Sequence, residues 1–214
     1  MIVMFTKHKT LIAIFIIWLF HLSALIGIAL GHQEWFAAKT PLNLSISLFL
    51  FTLVYPLNSW KKYSVFGVFF CGGMFAEWLG VNFSLLFGSY TYGSNFGLKI
   101  DGVPLLIGAY WAILTFISAS IASYFTGKAW FKIILATLLM VLLDFLMEQS
   151  APILDFWTFE GGLALLKNYI TWFFLGLLFQ ILLHASKIKG DILFSLNLYL
   201  AQFVFFVFFY LRML

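Results

Sequence analysis

The sequence predicts an all-α fold, a polytopic membrane helix bundle of about seven transmembrane helices that forms a single domain over residues 1–214. Of its residues, 64% are hydrophobic, 21% are aromatic and only 9% are charged, which lies far outside the range of soluble domains. Apolar runs long enough to cross about 30 Å of hydrocarbon recur along the whole chain. The basic net charge then reflects membrane topology and does not indicate nucleic-acid binding.

Seven apolar runs meet the length that a membrane-spanning helix needs. The first begins after a short basic segment, and the second is the shortest and is ended by Pro56. The predicted spans are 10–30, 42–56, 63–87, 103–125, 130–151, 166–184 and 192–211. Twenty-eight phenylalanines exceed what helix packing asks for, so they either face lipid or line a pocket for a long apolar ligand.

The distribution of lysine and arginine predicts the orientation, because cytoplasmic loops carry an excess of basic residues. Eight basic residues fall on the side of the N-terminus and four on the opposite side. The first set is Lys7, Lys9, Lys61, Lys62, Lys128, Lys132, Lys187 and Lys189, and the second is Lys39, Lys99, Lys167 and Arg212. We therefore expect a cytoplasmic N-terminus, an outer C-terminus and a location in the bacterial inner (cytoplasmic) membrane.

Three acidic residues lie inside the predicted spans. A carboxylate near the bilayer centre costs roughly 2.5 to 3.5 kcal/mol, so an intramembrane acid is a functional-site hypothesis by default. Glu77 lies near the middle of the third span, whereas Asp144 and Glu148 are four residues apart and share one face of the fifth. The alternative is that these acids form hydrogen bonds that only hold the bundle together.

Two polar, aromatic-rich loops, residues 88–104 and 155–162, follow the helices that carry the acids. We expect a cavity walled by the third and fifth spans and covered by these loops. Gly72, Ala76 and Gly80 recur at four-residue spacing, a stripe that predicts the close approach of a neighbouring helix. Whether the stripe also supports a homo-oligomer is left open.

The absence of several cofactor- and metal-binding motifs excludes some classes of membrane protein. The four histidines are scattered and do not have the spacing of membrane di-iron enzymes. The sequence has no paired aspartates for magnesium pyrophosphate, no GxGxxG motif, and no lysine in the last span that could bind retinal. Two classes remain: acid–base chemistry that needs no cofactor and no metal, or proton-coupled transport by carboxyl groups.

Two blocks of sequence are recognisable at this point. The first contains Glu-Trp-Leu-Gly at residues 77–80, Phe-Gly-Ser-Tyr-Thr-Tyr at 87–92, Gly-Leu-Lys-Ile-Asp-Gly-Val-Pro-Leu-Leu-Ile at 97–107, and Trp111. The second contains Asp144-x3-Glu148, Trp157-x-Phe159 and Asn168-x3-Trp172. From the third span through the sixth, the chain resembles the membrane-embedded carotenoid biosynthesis proteins, which include acyclic carotenoid 1,2-hydratases and bisanhydrobacterioruberin hydratases.

The resemblance implies a reaction as well as a fold. In such hydratases the terminal isopropylidene double bond of an acyclic carotenoid is protonated at C2 and captures water at C1, which gives a tertiary alcohol without a cofactor. The reaction needs a carboxylic acid that stays protonated near neutral pH, and burial favours this form. Aromatic faces steady the tertiary cation by roughly 0.5 to 2 kcal/mol each. The expected partner is an acyclic carotenoid, such as lycopene, within the bilayer.

Roles for single residues follow from their expected depth in the membrane. We expect Asp144 and Glu77 to form the proton-donating pair, and Glu148 to position or deprotonate the water. The residues expected to bind substrate are Tyr90, Tyr92, Trp111, Trp157, Asn168 and Trp172, of which Asn168 would hydrogen-bond a water or a carboxyl group. For the aromatic residues, the alternative is a place in the interfacial belt.

Two other functions start from the same residues. Cyclisation or isomerisation of a carotenoid end group begins with the same protonation but excludes water. A proton-coupled transporter or lipid-binding protein would use the acids as a relay, but the internal repeat typical of transporters is not found. The sequence leaves open which carotenoid reacts and at which end.

Overall fold

Long helices make up most of the chain. The computed structural model describes the backbone of residues 2–213 and the side chains of residues 8–212, so Lys7 from the count of basic residues lies outside the described side chains. The chain is 75% helical, and seven helices of the described part are long and apolar enough to cross a membrane. The predicted fold class is confirmed.

Eight helices follow one another in the described part of the chain, and two of them share one span. Short α2 and α3 together form the second candidate span, Gln33–Val54, which begins earlier than the sequence predicts. The helices are α1 (Ile2–Ala29), α2 (Gln33–Ala37), α3 (Thr40–Val54), α4 (Trp60–Phe83), α5 (Leu105–Phe125), α6 (Ala129–Ser150), α7 (Leu166–Ser186) and α8 (Ile192–Met213).

Helix α4 ends at Phe83, four residues before the predicted end of the third span. Ser84 has a φ of 53°, its N–H donates to the Gly80 carbonyl over 2.9 Å, and the Leu85 N–H donates to the Leu79 carbonyl over 3.2 Å. The first bond is that of an αL motif, in which a left-handed residue satisfies a carbonyl at the helix end and turns the chain. The prediction was wrong here because the apolar run continues to Phe87, which is buried beyond the turn.

Helix α5 lies at the centre of the bundle. In an 18-residue window of this span 78% of the residues are buried, against 22–44% in the corresponding windows of the other candidate spans. Such burial is expected of a helix that is hydrophobic on all sides. Helix α5 packs against α3, α4, α6, α7 and α8, so both acid-bearing helices rest on it.

The two aromatic loops form short antiparallel strands. Strand β1 (Tyr90–Tyr92) pairs with β4 (Trp157–Phe159), and β2 (Lys99–Ile100) pairs with β3 (Val103–Pro104). Side chains alternate between the two faces of a strand, so the aromatic residues of β1 and β4 point inward and are buried, while Thr91 and Thr158 are exposed. We call the β1–β4 pair the lid, because it closes one end of the helix bundle.

Three glycines of α4 lie against aromatic side chains of neighbouring elements. A Cβ atom added to Gly73 would lie 2.6 Å from Cβ and Cγ of Trp111, and one added to Gly80 would lie 2.7 Å from the Tyr90 hydroxyl. At Gly72 the nearest atom would be Cζ of Phe179, at 2.9 Å. Gly72 and Gly80 of the stripe therefore make room for rings from α7 and β1, and neighbouring Gly73 makes room for a ring of α5, the helix that packs against α4.

The contact between Gly73 and Trp111 gives a test of this packing. We expect Gly73→Ala to lower the free energy of unfolding by about 1–3 kcal/mol, because the added methyl group overlaps the root of the Trp111 side chain. Gly67→Ala, in the same helix with nothing within 4 Å, is the matched control and should leave stability unchanged or raise it by about 0.5–1 kcal/mol. Thermal unfolding in detergent compares the two, and equal effects would contradict the packing.

Candidate intramembrane acid site

Glu77 is held by three donors from two other elements. The Trp111 indole Nε1 donates to Oε1 over 2.8 Å, and the Tyr92 hydroxyl donates to Oε2 over 2.8 Å. The Tyr90 hydroxyl donates to the same Oε2 atom. Glu77 is 4% exposed, and its carboxyl thus ties α4 to central helix α5 and to the lid.

Asp144 and Glu148 are joined by one amide group. The side-chain nitrogen of Asn168, on α7, donates to Oδ2 of Asp144 over 3.0 Å and to Oε1 of Glu148 over 3.1 Å. The other Glu148 oxygen accepts from the Trp157 indole over 2.8 Å. Asp144 and Glu148 are 1% and 7% exposed, so this pair is also buried.

All three acids line one small cavity, which we call the acid cavity. Its volume is about 20 Å³, enough for about one water molecule. An organic group with several carbon atoms does not fit into this space.

The donors around the carboxyl groups are neutral phenol, indole and amide groups. Burial first, and then the neighbouring Glu77 carboxyl, raise the pKa of the Tyr90 and Tyr92 hydroxyls well above their ordinary value. Both phenols consequently remain protonated hydrogen-bond donors at neutral pH. Glu77 also lies within electrostatic range of Asp144 and Glu148.

Most of the residues singled out in the sequence meet at this cavity. Besides the three acids, its lining includes Tyr90, Tyr92, Trp157, Asn168 and Trp172. Trp111 is placed differently: it lies behind the wall, where it donates to Glu77 and stacks on Trp172 with ring centroids 3.7 Å apart and planes inclined by 15°.

Four further lining residues were not predicted as site residues: Phe87, Ile107, Met147 and Phe159. All except Met147 lie in the two recognised blocks of sequence. A local pattern in the sequence does indicate Phe159, because Trp157-Thr158-Phe159 repeats the aromatic–threonine–aromatic alternation of Tyr90-Thr91-Tyr92. No such pattern distinguishes Met147 from the many other apolar residues of α6.

The lid is fastened on its outer side by Asp155. The Ser94 N–H donates to Asp155 Oδ2 over 2.8 Å, and the Ser94 hydroxyl donates to the same oxygen. The Gly93 N–H donates to the Phe156 carbonyl over 2.8 Å, and the Asn95 amide donates to the Leu154 carbonyl over 3.0 Å. The Ser94 hydroxyl, and then its N–H, hold the pKa of the Asp155 carboxyl below its usual value.

The fold and the site together define an integral membrane protein with a cluster of buried carboxyl groups. The sequence profile of the carotenoid biosynthesis protein family matches residues 40–214, and the chain belongs to this family. The family that the two sequence blocks indicated is thereby confirmed. No curated protein and no solved structure matches the chain.

Asp155 predicts a pH-dependent contribution to stability. Because its pKa is lowered in the folded state, Asp155 stabilises the fold above the unfolded value of about 3.9, and this contribution is lost as the pH falls through the folded value. We expect Asp155→Asn to lower the free energy of unfolding at pH 7, and with it the melting temperature, by less than about 1 kcal/mol of free energy because the group is exposed.

Melting temperatures measured from pH 7 downward check this expectation. The difference between the unaltered protein and Asp155→Asn should shrink below about pH 4, where the carboxylate becomes protonated. Exposed Glu160→Gln, in the loop after the lid, is the control and should show no such trend. A difference that stays constant down to the most acidic pH would contradict the role of the charge.

Tyr92→Phe tests the hydrogen bond that the Tyr92 hydroxyl donates to Glu77. The variant keeps the ring but removes one donor to a buried carboxyl, so the free energy of unfolding should fall by about 1–3 kcal/mol. Tyr63→Phe removes an exposed hydroxyl on α4 and should change stability by no more than about 0.5 kcal/mol. Chemical unfolding followed by tryptophan fluorescence distinguishes them, and equal values would count against the contact.

Proposed function

We propose that the chain hydrates the terminal isopropylidene double bond of an acyclic carotenoid by acid catalysis. The observation that carries this proposal is one buried cavity in which three carboxyl groups from two helices surround a space for about one water molecule. Membership of the carotenoid biosynthesis family supplies the substrate class. Acid, base and water are the components that hydration of an alkene needs.

The reaction divides into two proton transfers. Asp144 gives its proton to C2 of the terminal double bond, whose π electrons form the new C–H bond and leave a tertiary cation at C1. Water attacks C1 through an oxygen lone pair, and Glu148 accepts the proton that the water loses. The product is the tertiary alcohol, and a proton returned from Glu148 to Asp144 through the next water resets the pair.

The position of Asn168 supports the pairing of these two acids. Its amide nitrogen donates to both carboxyl groups, so it fixes the distance between the proposed donor and the proposed base. Asn168 is thus proposed as a positioning residue that contacts carboxyl groups. This arrangement corresponds to one of the two roles that the sequence left open for it, a water or a carboxyl as partner.

Glu77 has a different environment from that of the other two acids. Both of its oxygens accept hydrogen bonds, three in total, which is the pattern that suits an ionised carboxylate. We assign to Glu77 the stabilisation of the cation by its charge, in place of a share in proton donation. Trp172 and Trp157 line the same cavity and present aromatic rings to that cation.

Pigment analysis in lycopene-producing bacteria tests the proposal. Expression of the gene should yield products heavier by one water, and Asp144→Asn should reduce their formation by about 10²–10⁴-fold, the usual contribution of a general acid. Glu77→Gln should also reduce it, because the amide carries no charge. Exposed Glu160→Gln and Glu34→Gln are matched controls that should retain full product formation.

Each other outcome points to a specific alternative. Products isomeric with lycopene would show that the reaction is cyclisation or isomerisation instead of hydration, since these reactions begin with the same protonation. If membranes that contain the folded protein leave lycopene and longer acyclic carotenoids unchanged, the proton relay of a transporter becomes the interpretation to test. Full product formation by Asp144→Asn would remove this residue from the proposed mechanism.

A further inference from the structure

A second and much larger cavity lies beside the acid cavity. Its volume is about 380 Å³, and residues of α1, α2, α3, α5, α6 and α8 line it. We call it the phenylalanine cavity, because Phe20, Phe36, Phe96, Phe156, Phe205 and Phe206 contribute to its wall. The volume lies within the range of about 300–1,000 Å³ that is typical of pockets for organic ligands.

Two residues that line this cavity also lie next to the acids. Met147 lines both cavities, and Tyr110 lines the phenylalanine cavity while interacting electrostatically with Asp144. Methionine has an unbranched, adaptable side chain, and the buried Tyr110 hydroxyl has no hydrogen-bond partner in the described part of the chain. No hydrogen bond holds either side chain in the described part of the chain.

For the proposed reaction, the acid cavity needs a connection to a larger space. Its volume of about 20 Å³ leaves no room for the end group that the proposed reaction protonates. On its outer side the lid closes it, with Tyr90, Tyr92, Trp157 and Phe159 packed inward. The phenylalanine cavity adjoins it through Met147 and reaches the protein surface at Trp35 and Leu42, which are 59% and 51% exposed.

We propose that the phenylalanine cavity binds the linear isoprenoid chain of the substrate next to its reacting end, and that Met147 and Tyr110 move to admit the end group to Asp144. This inference rests on the proposed function. The volume of about 380 Å³ is too small for a whole carotenoid, so the remainder of the chain leaves past Trp35 and Leu42 into the lipid. A mostly apolar wall suits a hydrocarbon chain, and a position next to the acids, with Met147 shared by both cavities, favours the substrate over a membrane lipid.

Two serines of α3 provide a matched pair of variants. Ser47 is buried and lines the phenylalanine cavity, whereas Ser45 is exposed on the same helix. Ser47→Phe should fill the cavity and reduce the hydrated product by about 10²-fold, as expected when a substrate loses its position. Ser45→Phe adds the same ring outside the cavity and should match the unaltered protein.

Pigment retention provides a second readout. Each protein is purified in detergent from lycopene-producing cells, and the polyene absorbance per protein is measured. The unaltered protein and Ser45→Phe should retain lycopene, and Ser47→Phe should retain little. If Ser47→Phe does not accumulate as folded protein, Ser47→Leu, which adds less volume, is judged by the same two readouts.

The outcomes separate this inference from the proposed function. Equal product and equal retention for the two phenylalanine variants would overturn the inference while leaving hydration intact. If no hydrated product forms at all, hydration fails, yet selective loss of lycopene from Ser47→Phe would still support the cavity as an isoprenoid site. Copurified phospholipid that is lost from Ser47→Phe, with lycopene retention unchanged, would assign the cavity to a lipid chain and overturn the inference.

Discussion

The burial of three carboxyl groups inside an apolar bundle is the constraint on which the rest of this structure depends. A buried polar group without hydrogen-bond partners costs several kcal/mol, so each acid requires donors that come from elsewhere in the chain. The donors come from the central helix, from both lid strands and from α7: Trp111, Tyr90, Tyr92, Trp157 and Asn168. Segments far apart in the sequence are thereby held together at one point, and the lid is part of the same hydrogen-bond network as the acids.

Central helix α5 connects the stability of the fold with the geometry of the site. Trp111 fills the space that Gly73 leaves on α4, donates to Glu77 and supports the ring of Trp172 from behind. A change in the approach of α4 to α5 would therefore shift an acid and an aromatic wall together. The same residue explains why a small side chain matters on the face of α4 that packs against α5.

Local patterns in the sequence predicted much of this arrangement. Apolar runs located the spans, the four-residue spacing placed Asp144 and Glu148 on one face, and the aromatic loops were expected to cover the site. The end of α4 at Phe83 was missed because hydrophobicity alone does not show that the next residue, Ser84, adopts the left-handed conformation. The pairing of β1 with β4 and the place of Met147 between two cavities depend on contacts between distant segments, which no local pattern contains.

Asn168 limits the kind of hydrogen bond that a molecule in the acid cavity can form with it. Its nitrogen has two hydrogens, and both are directed at carboxyl oxygens, one on Asp144 and one on Glu148. The reversed amide orientation would set oxygen against oxygen, so the side chain has one favourable orientation. A guest molecule finds no spare hydrogen on this amide, and it can engage Asn168 only by offering a hydrogen of its own to the carbonyl oxygen. Water can do so and a hydrocarbon end group cannot, so in the proposed hydration this one side chain distinguishes the two reactants before any bond is made.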